Sequence, residues 1–360
     1  MQNTKKNNLT LLVDGGFLLM RNSFFFGQGF HVDAPEPHKR ATAEEFKKSL
    51  AQTVTKIINQ IPEIDNIVLM SEGGSWRKNL PIPEQLKDTT YKGHRERKVE
   101  IDWGLIYESY AEFIQNCENV GITCSRHNAI EGDDWAWYWS RRLNEEGIST
   151  IIWTCDCDLK QLVQFKNGAF TAWYNDKSGL VLPDQMAWPE DPIEAMMNPP
   201  ARTALSEALI HRFKKVSYLN PDSIVINKIL CGDAGDNIKS VVRFQKNGRT
   251  YRFAESDYKK FVEETGIKQL DNFRSNYELV AEHILHNKKF ADREITKENI
   301  LEMLDYNLRL VWLNEQVIPE TILTAMVQFE YKDFNIADLR HNYSLLLGEN
   351  DEVRKIFESI

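Results

Sequence analysis

Short apolar runs alternate with helical patterns along the first half of the chain. Four runs are rich in Val, Ile and Thr and are bounded by polar or turn residues, which is typical of β-strands: LTLLVD (9–14), NIVLMS (66–71), GITCSRH (121–127) and STIIWTCD (149–156). Apolar positions recur with helical spacing in four further segments: 41–60, 104–119, 131–146 and 158–165. This alternation predicts an α/β fold with a mostly parallel central sheet flanked by helices.

The pattern changes after about residue 190. Strand signals become sparse there, and four segments have apolar positions at helical spacing: 201–215, 222–230, 271–285 and 296–313. We therefore predict an α/β domain over residues 1–190 and a helical region over residues 191–360.

The composition is that of a globular chain of 360 residues, with 42% hydrophobic residues and a formal net charge of -9. This charge argues against a protein that coats nucleic acid through its overall charge, although a local basic stripe can still bind it. Five cysteines without a signal peptide indicate reduced thiols. No apolar run is long enough to cross a bilayer. We expect a soluble, cytoplasmic protein without a membrane segment.

Acidic residues follow the predicted strands and fill three short motifs. Asp14 ends the first strand and Glu72 follows the second, at the edge of the sheet where ligands bind in parallel α/β folds. The others lie in EGDD, TCDCD and GDAGDN: Glu131, Asp133, Asp134, Asp156, Asp158, Asp233 and Asp236. Taken singly, each acid is better explained as a surface, turn or helix-terminal residue.

Taken together, these nine carboxylates would converge if the strands are parallel neighbours. Converging carboxylates repel one another unless a cation lies between them. Oxygen ligands with few His or Cys favour Mg²⁺, with Mn²⁺ as a substitute. Two such ions about 4 Å apart can hold the attacking and leaving oxygens of a phosphodiester during hydrolysis. The acids therefore predict a site for Mg²⁺ or Mn²⁺.

Two segments are basic although the chain as a whole is acidic. Seven Lys or Arg and three acids lie between residues 77 and 98. Directly after Asp236, sixteen residues contain five Lys or Arg and no acid. A solvated surface explains the charge of the first segment equally well, so charge alone makes it only a candidate for phosphate binding.

The order of the motifs VDG, SWRK…YKGHR, EGDD, TCDCDLKQLV and GDAGDNI, over residues 9–245, resembles the 5′-nuclease superfamily of flap endonucleases and polymerase-associated 5′-exonucleases. The likeness is strongest to the phage-type ribonuclease H. It implies a PIN-like core, two Mg²⁺ ions and cleavage near the base of a 5′ single-stranded arm. By family position one ion would lie among Asp14, Glu131, Asp133 and Asp156, and the other among Asp158, Asp233 and Asp236, with Asp134 beside them.

YKGHR resembles the arch motif of this family, in an arch segment at about residues 76–100. The resemblance implies that Lys92 and Arg95 project toward the scissile phosphate and stabilise charge in the transition state. Three residues apart, they would share a helical face. Further candidate nucleic-acid contacts are Arg77, Lys78 and Tyr91, although Tyr91 is equally suited to anchor the segment to the core.

The chain departs from the family pattern at two places. Glu72 stands where most relatives have an Asp, so it either substitutes for that ligand or the ligand is displaced. After GDAGDNI, the run KSVVRFQKNGRTYRF lacks the glycines of the usual helix-turn-helix. We therefore expect duplex DNA to be bound by phosphate contacts from the basic run: Lys239, Arg243, Lys246 and Arg249.

The sequence thus predicts an Mg²⁺-dependent, structure-specific 5′-nuclease that removes 5′ flaps, RNA primers or DNA from 5′ ends during replication. The expected partners are DNA with a 5′ single-stranded arm, RNA–DNA hybrids, and replication proteins such as a single-strand-binding protein or a sliding clamp. We expect a monomer, located in the host cytoplasm if a phage encodes it. Two alternatives remain open: a catalytically weakened DNA-binding relative, and an unrelated Mg²⁺ enzyme in which DCD binds a nucleotide diphosphate.

Overall fold

The computed structural model describes residues 7–87, 89–93, 100–189, 191–247, 249–287, 289–290 and 295–348. These residues form two compact units. The first contains the described parts of Met1–Gly74, Arg97–Leu219 and Thr324–Ile360, and the second those of Ser75–Glu96 and Asn220–Leu323. This division differs from the predicted boundary at residue 190, because the sheet of the first unit takes up a strand at 216–219.

The first unit is built on an eight-stranded sheet, which confirms the predicted fold class. Its strands are β1 (Leu9–Asp14), β2 (Asn66–Met70), β3 (Thr123–Ser125), β4 (Ser149–Trp153), β5 (Gln164–Lys166), β6 (Ala169–Asn175), β7 (Gly179–Pro183) and β8 (Val216–Leu219). Their order is β3-β2-β1-β4-β6-β7-β8, with β5 paired to β6. All pairs are parallel except β5–β6 and β6–β7.

The helices of the first unit are α1 (Gly15–Phe26), α2 (Glu36–Gln60), α3 (Trp103–Asn119), α4 (Gly132–Glu145), α5 (Pro192–Met197), α6 (Ala204–Arg212) and α13 (Ile336–His341). Short 3₁₀ helices cover Cys157–Leu162, Asp184–Met186 and Tyr343–Leu347. Every residue of β2 and β4 is buried, as expected for parallel strands that are covered on both faces.

The register of the central strands sets the position of the predicted acids. Asp14 pairs with Met70 of β2, and Val13 pairs with Trp153 of β4. Because these strands are parallel, the residues that follow their last positions emerge at one edge of the sheet. The segments after β2 and β4, which contain Glu72 and Asp156, therefore begin at the same edge as Asp14.

The structure differs from the sequence pattern after this edge. The helix predicted over 158–165 is wrong: a 3₁₀ helix ends at Leu162, and β5 then pairs with β6. Two residues, Asn167 and Gly168, join β5 to β6 with positive φ values of 55° and 76°. An Asn-Gly pair between two extended runs is a strong hairpin signal, and the hydrophobic periodicity alone did not reveal it.

The second unit is mainly helical, as predicted, but it also contains a β-hairpin. Its helices are α7 (Asp222–Cys231), α8 (Glu255–Thr265), α9 (Leu270–Ser275), α10 (Tyr277–His286) and α11 (Lys297–Val311), with 3₁₀ turns at Trp76–Asn79 and Glu84–Leu86. Strands β9 (Arg243–Lys246) and β10 (Arg249–Arg252) form the hairpin. The chain then returns to the first unit within α12 (Glu320–Met326).

The core of the second unit packs α7, α8, α10 and α11 around apolar side chains such as Ile229, Phe261 and Leu304. Asn307 of α11 is fully buried and donates hydrogen bonds to the carbonyl oxygens of Ile229 and Lys239. These bonds tie the end of α7 and the segment after GDAGDN to α11. Among the described residues of both units, no helix is long and apolar enough to cross a membrane.

Candidate functional site

Asp14 is the last residue of β1 and caps the first turn of α1. Its Oδ1 atom accepts a hydrogen bond from the backbone N–H of Phe17 at 3.0 Å, and its Oδ2 atom accepts one from the hydroxyl of Thr154 at 2.6 Å. The next residue must be a glycine, because a Cβ atom at Gly15 would lie 2.5 Å from the carbonyl oxygen of Met70. The VDGG sequence thus permits a close packing that holds the Asp14 carboxylate in place.

Glu72 lies beside Asp14 at the same edge of the sheet. A Cβ atom added at Gly16 would lie 3.3 Å from Asp14 Oδ1 and 3.5 Å from Glu72 Cδ. A Cβ atom added at Gly132 would lie 3.5 Å from Glu72 Cγ. The Glu72 side chain therefore reaches the first residues of both α1 and α4. Its substitution for the usual Asp as a metal ligand stays a prediction.

Thr154, which was not singled out from the sequence, connects the acids of β1 and of the TCDCD motif. The side chain is fully buried. Its hydroxyl donates to Asp14 and accepts a hydrogen bond from the backbone N–H of Asp156 at 2.9 Å. Asp156 Oδ1 in turn accepts from the backbone N–H of Asp158 at 2.8 Å. The sequence does contain a signal for the role of Thr154, because this residue directly follows β4 and begins the acidic motif.

Burial and the neighbouring carboxylates both act on the charge of Asp14. Burial raises the pKa of Asp14 to about 6; the hydrogen bonds from Thr154 and Phe17 oppose this shift, and the charges of Glu72 and Asp156 add to it. In the described part of the chain, neither Lys nor Arg pairs with these three acids, which we name the sheet-edge carboxylates (Asp14, Glu72 and Asp156). A divalent cation would relieve the repulsion.

The acids of EGDD lie at the start of α4. Glu131 precedes the helix and is buried, and Asp133 is half-buried in the first turn. Asp134 is completely buried and accepts a hydrogen bond from the backbone N–H of Glu131 at 3.2 Å. Asp134 therefore contributes a helix cap, which explains its burial. A place for the three acids around a metal ion stays a prediction.

The fit of a metal ion to the first unit rests on donor chemistry and charge. Among the described residues, no three His, Cys, Asp or Glu side chains are grouped so that they could hold a metal ion. The sheet-edge carboxylates nevertheless supply only oxygen donors, and the charges of Glu72 and Asp156 add to the effect of burial in raising the pKa of Asp14. Oxygen donors with this excess of charge suit Mg²⁺ or Mn²⁺.

In the second unit, GDAGDN forms a closed turn at the end of α7. Gly232 has a φ of +74°, and the backbones of Asp233 and Ile238 bond to each other in both directions, at 2.9 and 2.7 Å. Asp233 accepts a hydrogen bond from the N–H of Gly235 at 2.8 Å and forms an ion pair with Lys228. Burial alone would raise the pKa of Asp233, but the Lys228 ammonium and the N–H groups hold it below its usual value.

Asp236 contacts Tyr91 and Lys92, the first two residues of the YKGHR motif. The backbone N–H of Lys92 donates to the Asp236 carbonyl oxygen at 2.9 Å, and the Lys92 ammonium lies 3.8 Å from Asp236 Oδ2. The Tyr91 hydroxyl also donates to Oδ2, at 3.2 Å. Asp233 and Asp236, which we name the turn carboxylates, therefore each have a lysine partner.

The described part of the predicted arch requires three corrections. Lys92 has a φ of +55° and lies in a turn, so the expected helical face does not include it, and Arg95 lies outside the described residues. Tyr91 is 6% exposed and packs in the core, which favours an anchoring role over base stacking. Arg77 is 2% exposed and donates to the Leu310 carbonyl oxygen, so phosphate binding by Arg77 is not supported. Lys78 is exposed and stays a candidate.

The basic run after Asp236 ends in the hairpin of β9 and β10. Arg243, Lys246 and Arg249 are exposed on it. Lys239 is half-buried before the hairpin and donates to Asn237, and burial together with the charge of Arg243 lowers its pKa. The structure therefore presents three of the four predicted phosphate contacts on one element and holds the fourth apart from them.

Comparison with known proteins begins from the sequence. No family model matches the chain. A 5′-3′ exonuclease of Mycoplasmopsis pulmonis is 26% identical over 247 residues, which are 68% of this chain. The match spans 65% of the length of that relative.

Solved structures show the same fold at low sequence identity. The bacteriophage T5 5′-exonuclease with bound zinc ions has a TM-score of 0.52 and 16% identity, with 89% of this chain and 97% of that chain covered. The bacteriophage T5 flap endonuclease in a pseudo-enzyme–product complex with DNA and metal ions has a TM-score of 0.52 and 17% identity, with 93% and 100% covered. The resemblance of this chain to the 5′-nuclease superfamily is thus confirmed by a related sequence and by a shared fold.

Proposed function

We propose that the chain is a metal-dependent 5′-nuclease that hydrolyses phosphodiester bonds near the base of a 5′ single-stranded arm. The observation that carries this proposal is the group of sheet-edge carboxylates, which lie at the edge of a parallel sheet where ligands bind and which no Lys or Arg of the described residues pairs with. The similar exonuclease and the T5 structures, which contain metal ions and, in one case, DNA, support the same chemistry.

The described residues have separate roles in this proposal. Bound Mg²⁺ would activate water and stabilise the charge that develops on the phosphate. Asp14, Glu72 and Asp156 would hold the cation. Thr154 would fix the positions of Asp14 and Asp156 relative to each other, because its hydroxyl is hydrogen-bonded to both residues. The same chemistry is proposed for the other predicted ligands: Glu131, Asp133, Asp158, Asp233 and Asp236. Lys92 stays the proposed contact to the scissile phosphate.

The proposed substrates are DNA with a 5′ flap and RNA primers on DNA. A replication role as a monomer in the cytoplasm, together with replication proteins, belongs to the same proposal. The alternative of a DNA-binding relative without activity has less support. Nearly every position at which the family pattern has an acid also carries an acid in this chain. Burial, moreover, raises the pKa of Asp14 to about 6, and the charges of Glu72 and Asp156 add to this shift.

Product mapping tests the proposal directly. A 5′-flap duplex and an RNA-primed duplex, each labelled at the 5′ or the 3′ end, are incubated with the protein in Mg²⁺ or in EDTA. We expect fragments that end near the junction in Mg²⁺ and intact substrate in EDTA. Binding of the flap without cleavage in Mg²⁺ or Mn²⁺ would instead identify the inactive DNA-binding relative.

A further inference from the structure

The connection between β7 and α6, at residues 184–203, carries large apolar side chains into solvent. The N–H of Ala201 donates to the carbonyl oxygen of Gln185 at 2.9 Å, so the two ends of this connection lie together. Four side chains between these ends, which we name the apolar surface, are 59% to 86% exposed: Trp188, Ile193, Met196 and Met197. Large apolar side chains that are exposed together indicate an interaction site in a soluble protein.

Three members of the apolar surface lie on the short helix α5. Ile193, Met196 and Met197 occupy positions i, i+3 and i+4, so they share one face of this helix. Asp191 caps α5, because its Oδ1 atom accepts hydrogen bonds from the N–H groups of Ile193 at 2.7 Å and Glu194 at 3.1 Å. The fold therefore supports a helix whose apolar face is turned to solvent.

The fourth member, Trp188, lies beside a well-connected arginine. The guanidinium of Arg202 is 5.8 Å from the centre of the Trp188 ring. It donates to the carbonyl oxygen of Met186 at 2.7 Å, and it forms an ion pair with Glu207 at 3.0 Å. It also donates to the hydroxyl of Tyr218 of β8 at 3.1 Å. These bonds attach the base of the connection to the sheet, so Trp188 is exposed next to a fixed contact.

The connection leaves the sheet on the side opposite to the sheet-edge carboxylates. Trp153, the last residue of β4, pairs with Tyr174 of β6, and Tyr174 pairs with Leu180 near the start of β7. Because β7 is antiparallel to β6, its last residue, Pro183, lies about 10 Å further from the acids along the strand direction. Contact with the scissile phosphate therefore does not explain the apolar surface.

The charge of the same segment limits the kind of partner. Residues 178–201 contain neither Lys nor Arg but four acids: Asp184, Glu190, Asp191 and Glu194. Negative charge repels nucleic acid and anionic lipid. In a dimer with two-fold symmetry, the acids of one copy would face the same acids of the other. A protein segment that surrounds an apolar face with cations is complementary to both the apolar side chains and the acids.

We propose that the apolar surface binds a segment of another protein that folds as a helix with an apolar face flanked by Lys or Arg. Met196 and Met197 suit such a partner, since unbranched thioether side chains adapt to apolar surfaces of different shape. Trp188 supplies an aromatic anchor, and Glu194 a contact for a cation. The proposal concerns a partner and not the substrate, so it holds whether or not the chain cleaves DNA.

The test is fluorescence anisotropy with labelled peptides of about 18 residues, which can form a helix that covers an apolar face. One peptide has Leu at helical spacing and Lys elsewhere; a second has Glu in place of Lys; a third has the composition of the first in scrambled order. The full-length protein should bind the first peptide at least about tenfold more tightly than either of the others.

Two variants assign the binding to the apolar surface. Met196→Gln/Met197→Gln should weaken binding of the Leu/Lys peptide about tenfold, because two apolar side chains no longer favour burial. Glu194→Lys should weaken it about fivefold, because a like charge then faces the peptide. The affinity of Glu194→Lys should also depend less on salt than the affinity of the wild type.

Three controls separate the apolar surface from the rest of the protein. Met196→Leu/Met197→Leu keeps the apolar face and should keep the affinity, which guards against a loss of binding through misfolding. Leu279→Gln/Val327→Gln removes two exposed apolar side chains from other parts of the chain and should leave the affinity unchanged. Glu302→Lys reverses an exposed charge on α11 and should likewise leave it unchanged.

Equal affinity for the Lys and Glu peptides, or an unchanged affinity in Met196→Gln/Met197→Gln, would overturn the proposal. Two further measurements test other occupants: sedimentation velocity of the protein alone, and flotation with vesicles of phosphatidylcholine and phosphatidylglycerol. We expect neither a dimer that depends on Met196 and Met197 nor binding to the vesicles. A dimer that the Gln variant abolishes would identify a second copy as the occupant. Vesicle binding that the same variant abolishes would identify a lipid surface, and either result would overturn the proposed partner.

Discussion

The sheet-edge carboxylates and the turn carboxylates consist of the same kind of residue in opposite electrostatic settings. At the sheet edge, burial raises the pKa of Asp14 to about 6, and its acidic neighbours add to this shift. In the turn, Lys228 pairs with Asp233 and Lys92 lies near Asp236. The pKa of Asp233 is accordingly held below its usual value, against the effect of burial.

This difference shows what each group needs from outside the protein. The sheet-edge carboxylates repel one another, so a cation that binds among them stabilises the fold as well as the reaction. The turn carboxylates already have cations supplied by the chain, and a metal ion would have to compete with Lys228 and Lys92 for their oxygens. We therefore expect the sheet edge to bind Mg²⁺ or Mn²⁺ more tightly than the turn does.

The largest effect is expected when a sheet-edge ligand is removed. Asp156→Asn should lower the rate of flap cleavage by about a thousandfold, because loss of a metal ligand costs several kcal/mol of transition-state stabilisation. Flap binding should stay within a few-fold, since Asp156 holds an ion and not DNA. Single-turnover cleavage and anisotropy measure the two quantities separately. Normal turnover would remove Asp156 from the site, and Asp158→Asn provides a second test of the same motif.

Loss of a sheet-edge carboxylate should lower activity but raise the stability of the metal-free protein. Asp14→Asn should raise the free energy of unfolding at pH 7 by up to about 3 kcal/mol, because it removes a desolvated charge whose pKa lies about two units above its usual value of 3.8. A raised carboxyl pKa means that the wild type gains stability as the pH falls from about 6 to about 4. The advantage of the variant should therefore vanish near pH 4, which urea unfolding in EDTA at several pH values can measure.

The sequence predicted the sheet edge better than the turn, for a physical reason. Strands β1, β2 and β4 are marked by local periodicity, and acids directly after parallel strands must emerge at one edge. The ion pair of Lys228 with Asp233 depends on where α7 ends, and the burial of Tyr91 and Arg77 depends on packing against α7 and α11. Local patterns do not encode such contacts.

The two β-hairpins were also not predicted, although the local sequence contains a signal for them. Asn167 and Asn247 each precede a glycine in the sequence, and both have positive φ values, of 55° and 52°. A two-residue turn between antiparallel strands requires positive φ values, which Asn and Gly adopt more readily than other residues. The charges of the run after GDAGDN do not specify a strand register, so the pairing of Arg243 with Arg252 was not predicted.

Removal of the lysine that pairs with Asp233 should lower the stability of the protein, whereas Asp14→Asn should raise it. Lys228→Met keeps the length of the side chain but leaves Asp233 without its ion pair, and should lower the free energy of unfolding at pH 7 by about 1 to 2 kcal/mol. A lowered carboxyl pKa contributes stability above the unfolded value of 3.8, and this contribution is lost as the pH falls through the folded pKa. The difference between variant and wild type should therefore shrink below about pH 4. A gain in stability at pH 7 would contradict the contrast between the two groups.

The smallest expected effect concerns the hydroxyl that connects the sheet-edge carboxylates. Thr154→Val keeps the shape of the buried side chain but removes the hydrogen bond that lowers the pKa of Asp14. The variant should lose about 1 kcal/mol of stability, and the acid limb of its pH–rate profile should move to higher pH because Asp14 becomes harder to ionise. Thr154→Ser retains the hydroxyl and should restore the profile even if its smaller side chain costs some stability. A stability loss in both variants with an unshifted profile would mean that Thr154 only fills space, and that Asp14 is held by α1 alone.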